Sequence, residues 1–165
     1  MKPSPWLTDR EQRAWRSLLT MQRRLNGRVA RQLYQETGLS GADYEVLVNL
    51  SEAPGGRLRA FLLGRATGWE KSRLSHHITR MEERDLVRRE SCPTDSRGAY
   101  VALTGAGREA IEAAAPRHVG HVRRWFVDSL TPDQLDALAD ISEAILAGLG
   151  DDPDPCAGPS GAPAG

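Results

Sequence analysis

Apolar residues recur at helical intervals along most of this chain, and they alternate with a period of two only near residues 99–103. Trp15, Leu18, Leu19, Leu25, Val29 and Leu33 recur at helical spacing, with Arg23, Arg24, Arg28 and Arg31 between them. This predicts a long first helix, capped by Thr8 or Asp9 and ended by Gly38. It has more apolar positions than one neighbour would cover, which suggests an intersubunit role. Ser40 then caps a second helix through Glu52 that offers Tyr44, Leu47, Val48 and Leu50 to the core, and Pro54-Gly55-Gly56 breaks it. Arg57-Leu58-Arg59 reads as a very short strand. A third helix from Ala60 to Thr67 stops at Gly68. No cap residue precedes it, and Gly64 costs about 1 kcal/mol relative to alanine, so packing must hold it.

The fourth helix starts near Glu70. Leu74, Ile78 and Met81 make one apolar stripe, and Ser72, Arg73, His76, Thr79, Arg80 and Glu83 lie off it on the open face. Leu86-Val87 opens a strand to Cys92, Pro93 through Gly98 reads as a turn, and Ala99 to Leu103 as the return strand. Thr104 caps a fifth helix over 105–129 that Pro116 should bend. Thr131-Pro132-Asp133-Gln134 is a strong start for a sixth: a cap residue, proline at the first helical position and glutamine three after the cap. Leu135, Leu138, Ile141, Ile145 and Leu149 line one of its faces, and Gly148 and Gly150 end it. The acidic, Pro/Gly-rich stretch from Asp151 is expected to be disordered. The pattern predicts a mainly α fold with a small wing of two or three strands.

Composition narrows the partners. A chain of 165 residues suits one domain. No apolar run approaches the roughly 18 residues that span a bilayer, and the N-terminus has no apolar signal core, so a cytoplasmic protein with no membrane partner is expected. Cys92 and Cys156 form neither a metal-ligand spacing nor a disulfide framework. The 22 basic and 22 acidic residues cancel, but unevenly. Residues 57–80 hold six Lys/Arg against Glu70 alone, and residues 98–165 hold four arginines against ten acids. Phosphate attraction follows the local field, so the basic middle matters more than the neutral total.

That middle has the order of a helix-turn-helix followed by a two-stranded wing. The first turns of a helix seated in the major groove meet base edges, a role that falls to Ser72, Arg73, Ser75 and His76. Arg57, Arg59, Lys71, Arg80, Arg88 and Arg89 are better suited to phosphates, which position without reading sequence. An arginine at a hairpin tip, Arg97, can enter a narrow minor groove, and Asp95 two residues earlier can hold its guanidinium.

Leu86-Val87-Arg88-Arg89, the Asp95-x-Arg97 wing and the run Val101-Ala102-Leu103-Thr104-Gly105-Ala106-Gly107-Arg108 strongly resemble the multiple antibiotic resistance regulator (MarR) family. Gly38-Leu39-Ser40, Leu47-Val48-Asn49-Leu50 and Glu52-Ala53-Pro54-Gly55 match it too. The chain departs from the family pattern at Phe61, where a serine usually caps the first motif helix, at Leu62 for the usual glutamate, at Thr67 for a common leucine, at Glu70 for a serine, and at Cys92. The resemblance implies one unit over 8–150, with dimerisation helices at 8–37 and 105–149, a winged helix-turn-helix lobe at 40–104, and flexible tails at 1–7 and 151–165. It implies a homodimer on a pseudo-palindromic double-stranded DNA operator, most often a repressor released by a small aromatic or phenolic effector. Trp15, Arg16, Tyr44 and Trp69 could line the effector cavity; equally, Trp15, Tyr44 and Trp69 could be core. An oxidation-responsive regulator of the same fold and a winged-helix module that docks a partner protein are the alternatives. His118 and His121 are spaced as a metal pair without an evident third ligand, so no cofactor is expected. No phosphate loop, Ser/His/Asp set or paired carboxylates suggest an enzyme.

Overall fold

The computed structural model describes residues 6–92 and 95–150; at Cys92 and residues 95–98 it describes the backbone alone. Six helices and three strands follow in the order α1 (Asp9–Thr37), α2 (Gly41–Glu52), β1 (Arg57–Arg59), α3 (Ala60–Thr67), α4 (Lys71–Glu82), β2 (Val87–Cys92), β3 (Asp95–Leu103), α5 (Gly105–Trp125) and α6 (Pro132–Leu149). The expected tails at 1–5 and 151–165 lie outside the described residues. Among the described residues, no helix is long and apolar enough to cross a membrane.

Side chains set most of the helix ends. Reciprocal capping boxes open α1 (Thr8 with Glu11), α2 (Ser40 with Asp43) and α6 (Thr131 with Gln134), so orphan amides at each start are satisfied. Gly38, at φ 72°, ends α1 by turning left-handed, where a side chain would be strained. α3 and α4 have no side-chain cap, as the sequence of α3 led one to expect. Packing compensates: Leu63 of α3 and Ile78 and Met81 of α4 are almost entirely out of solvent.

The sheet is antiparallel in the order β1-β3-β2, with Leu58 opposite Val101 and Arg89 opposite Val101 on the other side. Val87, Val101 and Leu103 turn into a core built on Val46, Leu47 and Leu50 of α2, Leu63, Leu74, Ile78, Met81, and Ile111 and Ala114 of α5. α2 is therefore the post around which the lobe is assembled.

Three details differ from the sequence reading. β3 begins at Asp95 rather than Ala99, with the register irregular between Ser91 and Cys92. α5 stops at Trp125, four residues early, because Phe126 leaves helical geometry (φ −124°, ψ −65°) and a 3-10 turn over Val127–Ser129 reverses the chain. Within α2, Tyr44 and Val48 are only partly buried, whereas Val46 and the charged Asp43 are fully buried. Asp43 shares the buried face of α2 with Val46, Leu47 and Leu50, at i, i+3, i+4 and i+7, and its carboxylate is partnered there by Ser40 and Arg84.

Candidate nucleic-acid interface

α4 buries Leu74, Ile78 and Met81 and thereby turns its opposite face outward. Lys71, Ser72, Arg73, Ser75, His76, Thr79 and Arg80 are all exposed along that face. Amphipathic spacing alone dictates this arrangement. The Arg73 guanidinium does not float free: its Cζ lies 4.3 Å from the centroid of the Trp69 ring. Trp69 is itself buried in the turn before α4, so the arginine rests on a fixed aromatic face.

The sheet supplies a second cluster of cations. Arg57 and Arg59 both lie over the Tyr100 ring, their Cζ atoms 5.1 and 5.6 Å from its centroid. Glu90 accepts from Arg57 at 3.2 Å and from Arg88 at 2.7 and 2.9 Å. Those hydrogen bonds hold the Glu90 carboxyl below the usual carboxylate range. Arg88 also donates to the Leu103 carbonyl at 3.1 Å. Arg57 and Arg88 therefore face solvent as a partly neutralised pair, a weaker phosphate clamp than two free arginines would be. Sequence reading missed Glu90 because its partner Arg57 lies 33 residues away.

Arg89 is bonded to α4 instead. Its backbone amide and guanidinium both donate to Glu82, and the guanidinium reaches the Ser75 carbonyl at 2.9 Å and Thr79 Oγ1 at 3.1 Å. It is turned onto α4 and fastens the wing to that helix while remaining exposed. The side chains of Asp95 and Arg97, expected at the wing tip, lie outside the described residues.

The four ligand candidates do not meet within one chain. Trp15 and Arg16 are exposed on α1, Arg16 in an open groove with Arg13, Thr20 and Arg24. Trp69 belongs to the core. Whereas Trp69 borders a cavity of 340 Å³ with Phe61, Leu74 and Ile78, Tyr44 lines a separate one of 410 Å³ between α1, α2 and α5, with Leu25, Val29, Leu33, Val122 and Phe126 as apolar walls. There Tyr44 stacks on His118 with centroids 4.3 Å apart. Burial pushes the His118 imidazole below the ordinary histidine range, and the neighbouring His121 adds to this. His121 instead contacts Glu36 at 3.0 Å and stacks on Trp125. The two histidines are thus packed separately, and no group of three potential metal ligands occurs among the described residues.

A sequence model of the MarR family matches residues 37–98. AbsC, a MarR family transcriptional regulator from Streptomyces coelicolor, is similar along nearly its whole length: 47% identity and a TM-score of 0.83 over 88% of this chain and 98% of that one. The chain belongs to the MarR family. Sco3205, another MarR family regulator of that organism, was solved in complex with DNA; it is 39% identical with a TM-score of 0.84 over 91% of this chain and 94% of that one. Among curated proteins, the chain is similar to the transcriptional regulator HosA of Escherichia coli O111:H-, at 34% identity over 87 residues. That match spans 53% of this chain and 63% of the curated relative. All three relatives are described as transcriptional regulators, and the fold of the two solved ones is the one found here.

Proposed function

We propose that this chain is a homodimeric transcriptional regulator that binds a two-fold-related DNA operator, acting as a repressor that a small ligand releases. One observation carries the DNA reading: α4 exposes an unbroken polar and cationic face beside an arginine-lined sheet, in the architecture of a relative solved on DNA. Ser72, Arg73, Ser75 and His76 read base edges, while Arg57, Arg59, Lys71, Arg80 and Arg88 meet phosphates and Asp95 with Arg97 serves the minor groove. A lobe at 40–104 is carried by dimerisation helices at 8–37 and 105–149. A single chain leaves Trp15 and Leu19 of α1 and Ile141, Ile145, Leu146 and Leu149 of α6 open to solvent, apolar surface that a second copy would cover.

The release reading rests on the Tyr44–His118 cavity. Its only charged lining residue is Glu45, whose carboxyl burial pushes up despite the opposing pull of Arg73. No cation lines it, so a neutral aromatic or phenol suits it better than an anionic one.

A gel shift with the DNA upstream of the protein's own coding sequence, at physiological salt, tests the DNA reading. A specific complex that weakens steeply with salt is expected, because counterion release drives much of such binding. Arg97→Ala should lower affinity for every sequence, and Arg73→Ala should also relax sequence preference by about 1–3 kcal/mol. Wild-type affinity in both variants would refute the assignment.

A further inference from the structure

Asp43 is the one charged residue buried among those described, and nothing in the DNA face explains it. Its carboxylate sits at the α1–α2 junction and faces α4. Oδ2 accepts from the Ser40 amide at 2.9 Å and from Arg84 at 2.8 Å, and Arg84 also donates to the Gly38 carbonyl at 3.1 Å. The other oxygen, Oδ1, lies 3.1 Å from Nε2 of His77 on α4. That nitrogen is buried, and the approach to Oδ1 is the polar contact it makes. The His77 ring stands at 88° to Trp69 with centroids 5.2 Å apart, and Trp69 carries Arg73 on its face.

These contacts run without a gap from the α1–α2 junction to the outer face of α4. We propose that Asp43 and His77 are positioning residues which, through Trp69, fix the orientation of Arg73 for base reading. The proposal rests on the DNA reading above and supplies its specificity with a source. Two donors, the Ser40 amide and Arg84, pin Oδ2 of Asp43, so its other oxygen fixes where the His77 ring can sit. The ring edge then fixes the tilt of Trp69. An arginine on a fixed aromatic face loses less side-chain entropy on docking and presents its planar fork in one orientation. The adjacent Tyr44 and Glu45 line the 410 Å³ cavity, so the junction that aims Arg73 also borders the space proposed for the effector.

The groups that face His77 are Asp43 from α2 and Trp69, Arg73 and Arg80 from α4 and the turn before it. A proton on His77 would place a second cation against the ring that holds Arg73.

The test separates this relay from DNA binding. In the free protein, side-chain proton resonances of Arg73, identified by their loss in Arg73→Ala, should be shifted upfield by the Trp69 ring. Asp43→Asn and His77→Gln should both abolish that shift while the amide spectrum remains that of a folded protein. A retained shift in either folded variant overturns the relay. His77→Gln is the milder change and keeps the test open if Asp43→Asn fails to fold. On DNA, the preference of the wild type for its operator over a single-base variant should fall about 3- to 10-fold in His77→Gln, a fraction of what one good bidentate base contact supplies. In the Arg73→Ala background the same change should make less than about a twofold difference, because the two act as one unit. Equal losses in both backgrounds would also overturn the relay. If the ring shift collapses as expected but the wild type shows no operator preference, the relay stands and the DNA reading falls.

Discussion

At the scale of single residues, Gly107 is the position least able to change. A Cβ built there would lie 1.9 Å from the Leu86 carbonyl oxygen and 2.9 Å from its carbon, because the first turn of α5 is pressed against the start of β2. Backbone cannot yield as a flexible side chain can, so Gly107→Ala should destabilise by about 1–3 kcal/mol or more. Gly105, two residues earlier on the same turn, meets nothing within 4 Å, and Gly105→Ala should be neutral or stabilising by up to about 1 kcal/mol. Urea unfolding of the two variants side by side decides it; equal midpoints would show that the close approach is relieved by sliding α5. The Gly-x-Gly run was legible as a family signature, but its physical reason was not, since it lies in a contact 21 residues back in the chain. The partner of Asp43 was illegible for the same kind of cause, since Arg84 lies 41 residues on. Burial alone would raise the Asp43 carboxyl, yet Arg84 and Ser40 outweigh that and hold it below the usual aspartate value of 3.8. The His77 imidazole is also held below its ordinary 6.5, first by burial. In both cases the unfolded chain takes up the proton at the higher pH, so stability is full above 6.5 for His77 and 3.8 for Asp43 and is lost as pH falls below each. Thermal melts should therefore show a first loss of stability below the ordinary histidine range that His77→Gln reduces, the buried His118 supplying the rest. A wild-type melting temperature flat from neutral pH down to the carboxylate range would contradict this.

At the scale of elements, α1, α2 and α6 were readable because each announces itself twice, by an apolar stripe and by a capping residue, whereas α4 rests on its stripe alone. Thr8, Ser40 and Thr131 cap where the chain suggested, and Leu74, Ile78 and Met81 are the buried stripe of α4. The sheet cluster was less readable, since Arg88 and Arg89 alternate across a strand and only their long-range partners separate a solvent-facing arginine from one fastened to α4. α4 itself starts without a side-chain cap, because Glu70 occupies the N-cap position and makes no capping bond. Glu70→Ser would place a short hydroxyl where it can accept from a first-turn amide, which should stabilise by about 0.5–1 kcal/mol. It also removes an anion beside Lys71 and Arg73, so operator affinity should rise rather than fall. A variant that melts higher but binds DNA more weakly would mean that Glu70 itself contributes to the interface.

At the scale of the whole molecule, α6 decides whether the chain can work alone. Its box-capped start forms a regular helix, yet none of its residues is buried, and Ile141, Ile145, Leu146 and Leu149 are between half and three-quarters exposed. An apolar stripe of that length facing water costs solvation free energy with no return, so a second copy is the natural cover, with the exposed Trp15 and Leu19 of α1 as further contact area. If two lobes share one operator, the second lobe binds at a high effective concentration, and avidity of about 10²- to 10⁴-fold depends on the pairing. Ile145→Glu puts a charge in the middle of that stripe without touching the lobe that carries α4. The variant should keep its helical circular dichroism, sediment as a monomer where the wild type sediments as a dimer, and lose at least about 100-fold in operator affinity while retaining weak, salt-sensitive binding through a single lobe. A monomeric variant that still bound its operator as tightly as the wild type would show that one lobe suffices, and the two-fold operator would have to be abandoned.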